Sequence, residues 1–304
     1  YRAGQGGLFD VLRHPNFSEN KEIYLSYASG NEEANATTVA RATWNQTGLT
    51  NLEVIFKAAP SKYAALHYGG RLAWLPDNTL LLTTGDGFDF REKAQDRSTH
   101  FGKTIRMDEN GEPARDNPFS EYPFVYSYGH RNPQGLAVSS TGTIYQHEHG
   151  PQGGDEVNVI QSGKNYGWPI ITYGLDYNGA YVSPFTEYPG MAQPAHQWTP
   201  SIAPSGLMVY QGEVECHDII KEHLDELRDY WFNGYENESP EYSGRIFAHQ
   251  KECCKPFFKE LRTHIDNYFD CMIVDHSKLD YHIIKSWVGY HKDNETPSVK
   301  PHNH

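Results

Sequence analysis

The sequence predicts an all-β fold, an incomplete β-propeller of about three to four blades with a helix-rich C-terminal extension. Three segments support this, since each reads as a glycine, an apolar run, a polar turn and a second apolar run; they start at Gly7, Gly70 and Gly135. Two short apolar runs that flank a turn predict a β-hairpin. An interval of about 64 residues leaves room for four strands per repeat, which is typical of propeller blades.

The hairpins follow in chain order. The first is GLFDVLRHPNFSENKEIYLSYA, from Gly7. The second is GRLAWLPDNTLLLTTGD, with a turn from Pro76 to Asn78, and the third is GLAVSSTGTIYQHEHG, with a turn from Ser140 to Gly142. Proline, asparagine, serine and glycine favour such turns. A fourth repeat opens at Gly206 with GLMVYQGE, but we predict that its hairpin stays incomplete, because no second run follows.

The pattern changes after Glu213, so we predict two regions, residues 1–212 and 213–304. VECHDIIKEHLDELRDYW spaces its apolar residues at three and four positions, which predicts an amphipathic helix. PFFKELRTHIDNYFDCMI repeats that pattern, and YHIIKSWVGYHKD alternates like a strand. All four cysteines lie after residue 213, which suits an oxidising compartment for the first region and a reducing one for the second. We interpret the second region as a segment of different origin.

Charge and hydropathy exclude two classes of partner. The formal net charge is -13 and no cluster of Lys and Arg offsets it, so we expect no nucleic-acid partner. No apolar run approaches the roughly 18 residues of a membrane span, so we expect no membrane span. The first residues, YRAGQGG, form neither a charged signal n-region nor an initiator start, which indicates a processed or cut end.

The segment GHRNPQG carries more hydrogen-bonding side chains than a hairpin connection needs: His130, Arg131, Asn132 and Gln134. Polar residues precede the other repeat glycines too, namely Gln5 and His67. The equivalent ends of innermost strands converge on the axis of a propeller, so we expect these side chains to line a central pocket. Each residue taken singly is also explained as a satisfied turn residue at a strand start.

The second strands of the hairpins end in TTGD and HEHGPQGGDE, which would bring Asp86 and Asp155 to nearby loops. The glycine-rich segment is either a solvated loop or a site for a hard cation, because carboxylates and free carbonyls are the ligands that calcium prefers. His147 and His149 do not by themselves indicate a transition metal, because no third ligand follows at a fixed spacing.

Six motifs occur in an order that resembles a known family: GQGGLFDVLRHP, LHYGGRLAWLPDNTLLLTTGD, HFGKTIRMDENGEPARDNPF, YSYGHRNPQGLA, HEHGPQGGDEVNVIQSGKNYGWP and PSIAPSGLMVY. Over residues 1–212 the chain is similar to the soluble pyrroloquinoline quinone (PQQ) dependent sugar dehydrogenases of the glucose/sorbosone dehydrogenase group, and most of all to the aldose sugar dehydrogenase branch. The resemblance implies a six-bladed propeller. It also implies oxidation of the C1 hydroxyl of an aldose to a lactone, with an external electron acceptor, in a periplasmic or secreted location.

The resemblance implies three catalytic residues. His67 matches the general base that takes the proton of the anomeric hydroxyl while hydride passes to the quinone, a task that suits an imidazole because its reference pKa lies near working pH. Asp86 matches the carboxylate that orients this histidine. Arg131 matches a residue beside the quinone oxygen, where a guanidinium would stabilise growing negative charge.

The resemblance also implies cofactor and metal contacts. Gln5, Arg131 and Asn132 match residues near PQQ or the substrate. A calcium ion (Ca2+) would polarise the quinone, and the residues that match its surroundings are the carbonyl groups of Gly150 and Pro151 together with Asp155 and Glu156.

The sequence departs from the family in two ways. The later blades, which supply a lysine and arginines for the PQQ carboxylates, have no counterpart, so we expect an incomplete dehydrogenase joined to a foreign tail. The tail weakly resembles the start of phage-type 2-oxoglutarate and iron dependent oxygenases near His302 and His304, or is a helical extension with surface histidines. Function is therefore either PQQ-dependent aldose oxidation or that of a non-catalytic propeller fragment or binding module. The preferred aldose and the oligomeric state stay open.

Overall fold

The computed structural model describes residues 1–209, which form three four-stranded antiparallel sheets. The strands within each sheet follow chain order, each pairing with the next. Among the described residues, no helix is long and apolar enough to cross a membrane. The predicted helices and strand of residues 213–304 lie outside the described residues, so they stay predictions.

The first sheet begins with the first predicted hairpin. Its strands are β1 (Leu8–Arg13), β2 (Glu22–Gly30), β3 (Asn35–Trp44) and β4 (Leu49–Lys57). A single helical turn, α1 (Phe17–Asn20), bridges β1 and β2. This turn ends at Lys21 in the left-handed conformation, and the Lys21 N–H donates to the carbonyl of Phe17. The hairpin is therefore wider than a two-residue turn would make it.

The second and third sheets repeat the design. The second has β5 (Gly69–Trp74), β6 (Leu80–Thr84), β7 (Lys103–Met107) and β8 (Val125–Tyr128), and a short 3-10 turn lies between β6 and β7. The third has β9 (Pro133–Val138), β10 (Ile144–Glu148), β11 (Asp155–Ile160) and β12 (His196–Trp198). The three predicted hairpins are confirmed as β1/β2, β5/β6 and β9/β10. The fourth repeat, from Gly206, has no strand as far as residue 209.

The sheets stack face to face, and the strand β6 shows why. Side chains alternate between the two faces of a strand. Leu80 and Leu82 join the cluster between the first and second sheets, while Leu81 joins the cluster between the second and third. All five residues of β6 are buried, which explains the unbroken apolar run LLL in a strand that has a neighbour on each side. Each buried leucine contributes about 2 kcal/mol.

The first strands of the sheets, β1, β5 and β9, lie side by side. The polar residues that precede them are therefore brought to one edge of the stack, as expected for blades around an axis. The fold thus places Gln5, His67, Arg131 and Asn132 near one another, although they come from three separate parts of the chain.

One partly buried histidine makes stability depend on pH. His100 Nδ1 accepts a hydrogen bond from the Ala59 N–H at 3.0 Å, and its ring packs against Phe56 and Phe124. Burial, assisted by the charge of Lys103, lowers the pKa of His100 to about 4. The unfolded chain therefore binds a proton near pH 6.5 that the folded chain does not bind until about pH 4. The contribution of His100 to the free energy of unfolding is therefore fully present above about pH 6.5 and is lost as the pH drops towards 4.

We predict that lowering the pH from 7 to 4.5 reduces the free energy of unfolding, and that about 2 kcal/mol of this loss belongs to His100. His100→Asn should flatten the pH dependence, because asparagine offers an acceptor oxygen but binds no proton. Urea unfolding at both pH values measures this. The control is His196→Asn at an exposed position, which should leave the slope unchanged. Equal slopes for wild type and His100→Asn would contradict the assignment.

Candidate active site

The structure brings the predicted axial residues together through backbone contacts. Gln5 Oε1 accepts a hydrogen bond from the His67 N–H at 2.8 Å. Asn132 Oδ1 accepts one from the Gly69 N–H at 3.4 Å. The Asp86 N–H donates to the carbonyl of Arg131 at 2.8 Å. The entries to all three sheets are thus joined at one point.

His67 and Asp86 form a buried pair. His67 Nδ1–H donates to Asp86 Oδ1 at 2.7 Å, and Asp86 is only 1% exposed. His67 has a positive φ of 50°, an uncommon conformation for a residue with a side chain. A Cβ atom at Gly85 would lie 2.3 Å from the His67 carbonyl oxygen, so this close approach requires glycine there. The backbone around the pair is shaped to hold the imidazole against the carboxylate.

The charge state of His67 follows from its surroundings. Burial lowers the pKa of His67 below its usual 6.5, and the charges of Arg131 and Lys62 lower it further, whereas the hydrogen bond and charge of Asp86 raise it. Burial prevails, so the imidazole is neutral at neutral pH. Because Nδ1 carries the proton that Asp86 accepts, Nε2 holds the free lone pair. The pair is therefore set to accept a proton at Nε2.

A cavity of about 260 Å³ opens beside this pair. Phe88 meets the His67 ring edge-on, with the ring centres 5.1 Å apart, and has a positive φ of 70°. Arg91 pairs with Asp176 at 3.1 Å on the cavity wall. The full lining comprises His67, Asp86, Phe88, Asp89, Arg91, Arg131, Pro151, Trp168, Asp176 and Tyr177.

Arg131 faces the same cavity and is anchored on several sides. Nη1 donates to the carbonyls of His149 and Gly150, at 3.0 and 2.8 Å, and Nη2 donates to the Tyr177 hydroxyl at 3.3 Å. The Arg131 backbone N–H donates to the carboxylate of Glu148. Among the described residues, the buried Nε has no hydrogen-bond partner. The guanidinium is thus held in place by three hydrogen bonds through its Nη atoms.

The other polar residues of GHRNPQG support the site without facing the cavity. His130 is fully buried, bonded to Glu148 at 3.0 Å and to Ser127 at 2.9 Å. Gln134 Nε2 donates to Asn132 Oδ1 at 2.9 Å. The high density of donors in this segment is therefore explained by one cavity-lining arginine and a set of buried partners that fix its backbone.

Asp155 anchors a loop through its carboxylate. Oδ1 accepts from the Gly150 N–H at 2.9 Å, and Oδ2 accepts from the Ser201 hydroxyl and the backbone N–H groups of Ile202 and Ala203, at 2.6, 2.8 and 2.7 Å. Four donors engage this buried carboxylate. In this structure Asp155 ties the Gly150 loop to residues 201–203.

The remaining predicted metal residues are dispersed. The Gly150 carbonyl already accepts from Arg131, and Pro151 lines the cavity. Burial, reinforced by the charge of Glu148, raises the pKa of Glu156, which disfavours the carboxylate form that a metal ion would bind. Within residues 1–209, no three His, Cys, Asp or Glu side chains are placed to hold a metal ion. The donor groups do not fit calcium as they stand, and the calcium site stays a prediction.

Six cavity residues were not predicted from the sequence: the charged Asp89, Arg91 and Asp176, and the aromatic Phe88, Trp168 and Tyr177. Trp168 lies within the motif NYGWP, but nothing in the sequence assigned it a role. Phe88 and Tyr177 are large exposed apolar residues in connections, 40% and 64% exposed. Only their position in the folded chain relates them to His67.

The sheets and the cavity together define a class: a propeller whose axial site sets a neutral imidazole opposite an anchored guanidinium. A family model described as Glucose / Sorbosone dehydrogenase matches residues 1–218. The uncharacterized protein slr1608 of Synechocystis sp. is 46% identical over 228 residues, covering 70% of this chain and 55% of that protein. Aldose sugar dehydrogenase YliI of Escherichia coli is 36% identical over 220 residues, covering 69% and 59%.

A solved structure, the PQQ-bound aldose sugar dehydrogenase of Streptomyces coelicolor, is similar at a TM-score of 0.59 and 32% identity. The match covers 70% of this chain and 60% of that chain. The chain belongs to the Glucose / Sorbosone dehydrogenase family. The resemblance found in the sequence is thus confirmed, and the three sheets are blades of that propeller fold. The six-blade total stays a prediction, because the chain spans only 55% to 60% of these three proteins.

We predict that Asp155→Ala lowers the free energy of unfolding by about 3 kcal/mol, because three backbone N–H groups lose their acceptor. Thermal unfolding with and without a chelator measures this. If Asp155 acts as the structure shows, the chelator leaves the wild-type midpoint unchanged and added calcium does not rescue the variant. Glu187→Ala, at an exposed position of the β11–β12 connection, is the matched control. A chelator effect as large as that of the variant would show that Asp155 acts through a metal.

Proposed function

We propose that this chain supplies the base and the electrostatic part of a PQQ-dependent dehydrogenase that oxidises the C1 hydroxyl of aldose sugars to lactones. The observation that supports the proposal is the His67–Asp86 pair lying with Arg131 on one cavity. The named activity of the E. coli relative and the PQQ bound to the S. coelicolor structure support the substrate class and the cofactor.

The cavity residues suit an anionic quinone in part. Arg131 places a fixed guanidinium on the cavity wall, and a cation there suits a quinone oxygen or a carboxylate. Arg91 is the other arginine of the described lining and is already paired with Asp176. The lysine and arginines expected for the PQQ carboxylates are not in the described lining. We expect Arg131 to hold the quinone end, while the cofactor contacts of Asn132 and Gln5 stay predictions, because neither residue is in the described lining.

When bound, PQQ supplies an electrophilic quinone carbon that accepts the hydride of the sugar C1. His67 Nε2 takes the proton of the C1 hydroxyl, and the C–H electron pair leaves as hydride while the C1 carbonyl of the lactone forms. Asp86 fixes the tautomer with Nδ1 protonated and stabilises the imidazolium that results. The base is therefore neutral before the step and paired with a carboxylate after it.

Arg131 acts on the charge that develops opposite the base. Its guanidinium is held by the carbonyls of His149 and Gly150, so it needs little reorganisation as negative charge grows on the neighbouring oxygen. A fixed donor of this kind stabilises the transition state more than the ground state. We assign calcium no role in these steps, because the Gly150 carbonyl oxygen, one of its predicted ligands, accepts a hydrogen bond from Arg131. The external acceptor and the periplasmic or secreted location stay as the family resemblance implies.

We predict that the chain binds PQQ with quenching of its tryptophan fluorescence and then reduces it when glucose is added. His67→Gln should leave binding unchanged and lower kcat about 100-fold or more, because the proton acceptor is lost. His196→Gln, at an exposed histidine, is the control and should retain wild-type turnover. Equal turnover for His67→Gln and wild type would exclude His67 as the base.

The same assay tests the charge state of His67. Because burial lowers its pKa, kcat/KM should stay on its plateau into mildly acidic solution and fall only below pH 6.5. A fall that begins above pH 7 would contradict a neutral, buried base. A chain that neither binds PQQ nor reduces it would contradict the proposed activity and favour the non-catalytic propeller fragment or binding module.

A further inference from the structure

The indole of Trp168 lies between the two halves of the site. Trp168 Nε1–H donates to Asp86 Oδ2 at 2.7 Å, across 82 residues of chain. The other oxygen, Oδ1, accepts from His67 at 2.7 Å and from the Phe88 N–H at 2.8 Å. Both carboxylate oxygens are therefore fixed, and the carboxylate cannot rotate without losing a hydrogen bond to one of these groups.

The ring of Trp168 also contacts the opposite side of the cavity. The guanidinium carbon of Arg131 lies 5.3 Å from the ring centre, within the range of a cation–π contact. Trp168 is 7% exposed and lines the same cavity as His67 and Arg131. A single side chain thus touches the carboxylate of the base pair through its edge and the guanidinium through its face.

Trp168 is itself held by a polar scaffold. Its N–H donates to the Gly129 carbonyl at 2.9 Å, and its carbonyl accepts from Gln95 Nε2 at 2.7 Å. Gln95 and Asn165 exchange two amide hydrogen bonds, at 3.0 and 2.7 Å. A Cβ at Gly129 would lie 2.2 Å from Asn165 Oδ1, so this arrangement requires glycine at position 129. The backbone of Trp168, which carries the indole, is thus fixed by groups that are not in the cavity lining.

We propose that Trp168 is a positioning residue that sets the Asp86 carboxylate and the Arg131 guanidinium relative to each other, a role that rests on the proposed dehydrogenase function. The indole N–H shares the negative charge of Asp86 and so weakens the attraction of that carboxylate for the proton on His67. Loss of this N–H raises the pKa of His67, because the carboxylate then stabilises the imidazolium more strongly. The charged groups around His67 that remain in place are Asp86, Asp89, Lys62, Arg91 and Arg131.

The test is Trp168→Phe, which keeps an aromatic ring and removes the N–H. Histidine NMR of the full chain without cofactor or sugar follows the titration of His67, assigned by the signal lost in His67→Gln. We expect the His67 midpoint to move to higher pH in Trp168→Phe and to stay in place in Trp198→Phe, whose indole meets the ring of His196 edge-on. An unmoved midpoint overturns the proposal, and so does an equal shift in Trp198→Phe.

A second variant keeps the test decisive if Trp168→Phe fails to fold. Gln95→Leu keeps the indole of Trp168 but removes the side chain that donates to the Trp168 backbone carbonyl. We therefore expect a smaller shift of the His67 midpoint in the same direction. Folded Gln95→Leu with an unmoved His67 midpoint counts against the proposal.

Turnover gives a separate readout. In Trp168→Phe, kcat/KM should be about tenfold lower at pH 6 and about threefold lower or less at pH 8, where His67 is again neutral. A purely structural role predicts the same loss at both pH values, which would overturn the proposal. If the wild-type chain shows no sugar oxidation, the proposed function fails while the NMR titration still tests Trp168.

Discussion

The buried carboxylate of Asp86 is the interaction on which the site depends. A carboxylate with 1% exposure is costly unless donors surround it. It obtains them from three separate parts of the chain, His67 before β5, Phe88 after β6 and Trp168 after β11. Its own N–H reaches the Arg131 carbonyl, which adds the entry to the third sheet. The Asp86 carboxylate is therefore fully hydrogen-bonded only when the strands of the second and third sheets are in place.

The propeller stack makes that arrangement possible at low cost. Middle strands such as β6 bury apolar side chains on both faces, so the sheets are held by Leu80, Leu81 and Leu82 while the strand ends stay free for polar groups. Thr84 and Asp86 then follow directly after the leucines. The apolar interior stabilises the stack, and the polar site residues lie at the axial ends of the sheets, where they do not interrupt the apolar layers.

Two interpretations of the loop HEHGPQGGDE were open, a solvated turn and a cation site; the structure shows a largely buried, hydrogen-bonded loop, and the cation site stays a prediction. Asp155 is buried and holds backbone N–H groups of residues 202 and 203, while Gly150 shares its carbonyl with Arg131. The donors to this carboxylate all come from the chain itself. The loop therefore positions the guanidinium by ordinary hydrogen bonding, which links the predicted metal segment to Arg131.

The sequence by itself determined the three hairpins, the polar residues ahead of their glycines and the family. These features depend on alternating side chains and short motifs, which are local and can be recognised without knowing the fold. His67, Asp86 and Arg131 could be named in this way, and the structure places them on one cavity. Tertiary structure alone decided that Trp168 bonds Asp86, that Gln5 supports the His67 backbone and that Phe88 and Tyr177 flank the cavity. These contacts join residues up to 82 positions apart, and no local pattern encodes which distant donor reaches a buried acceptor.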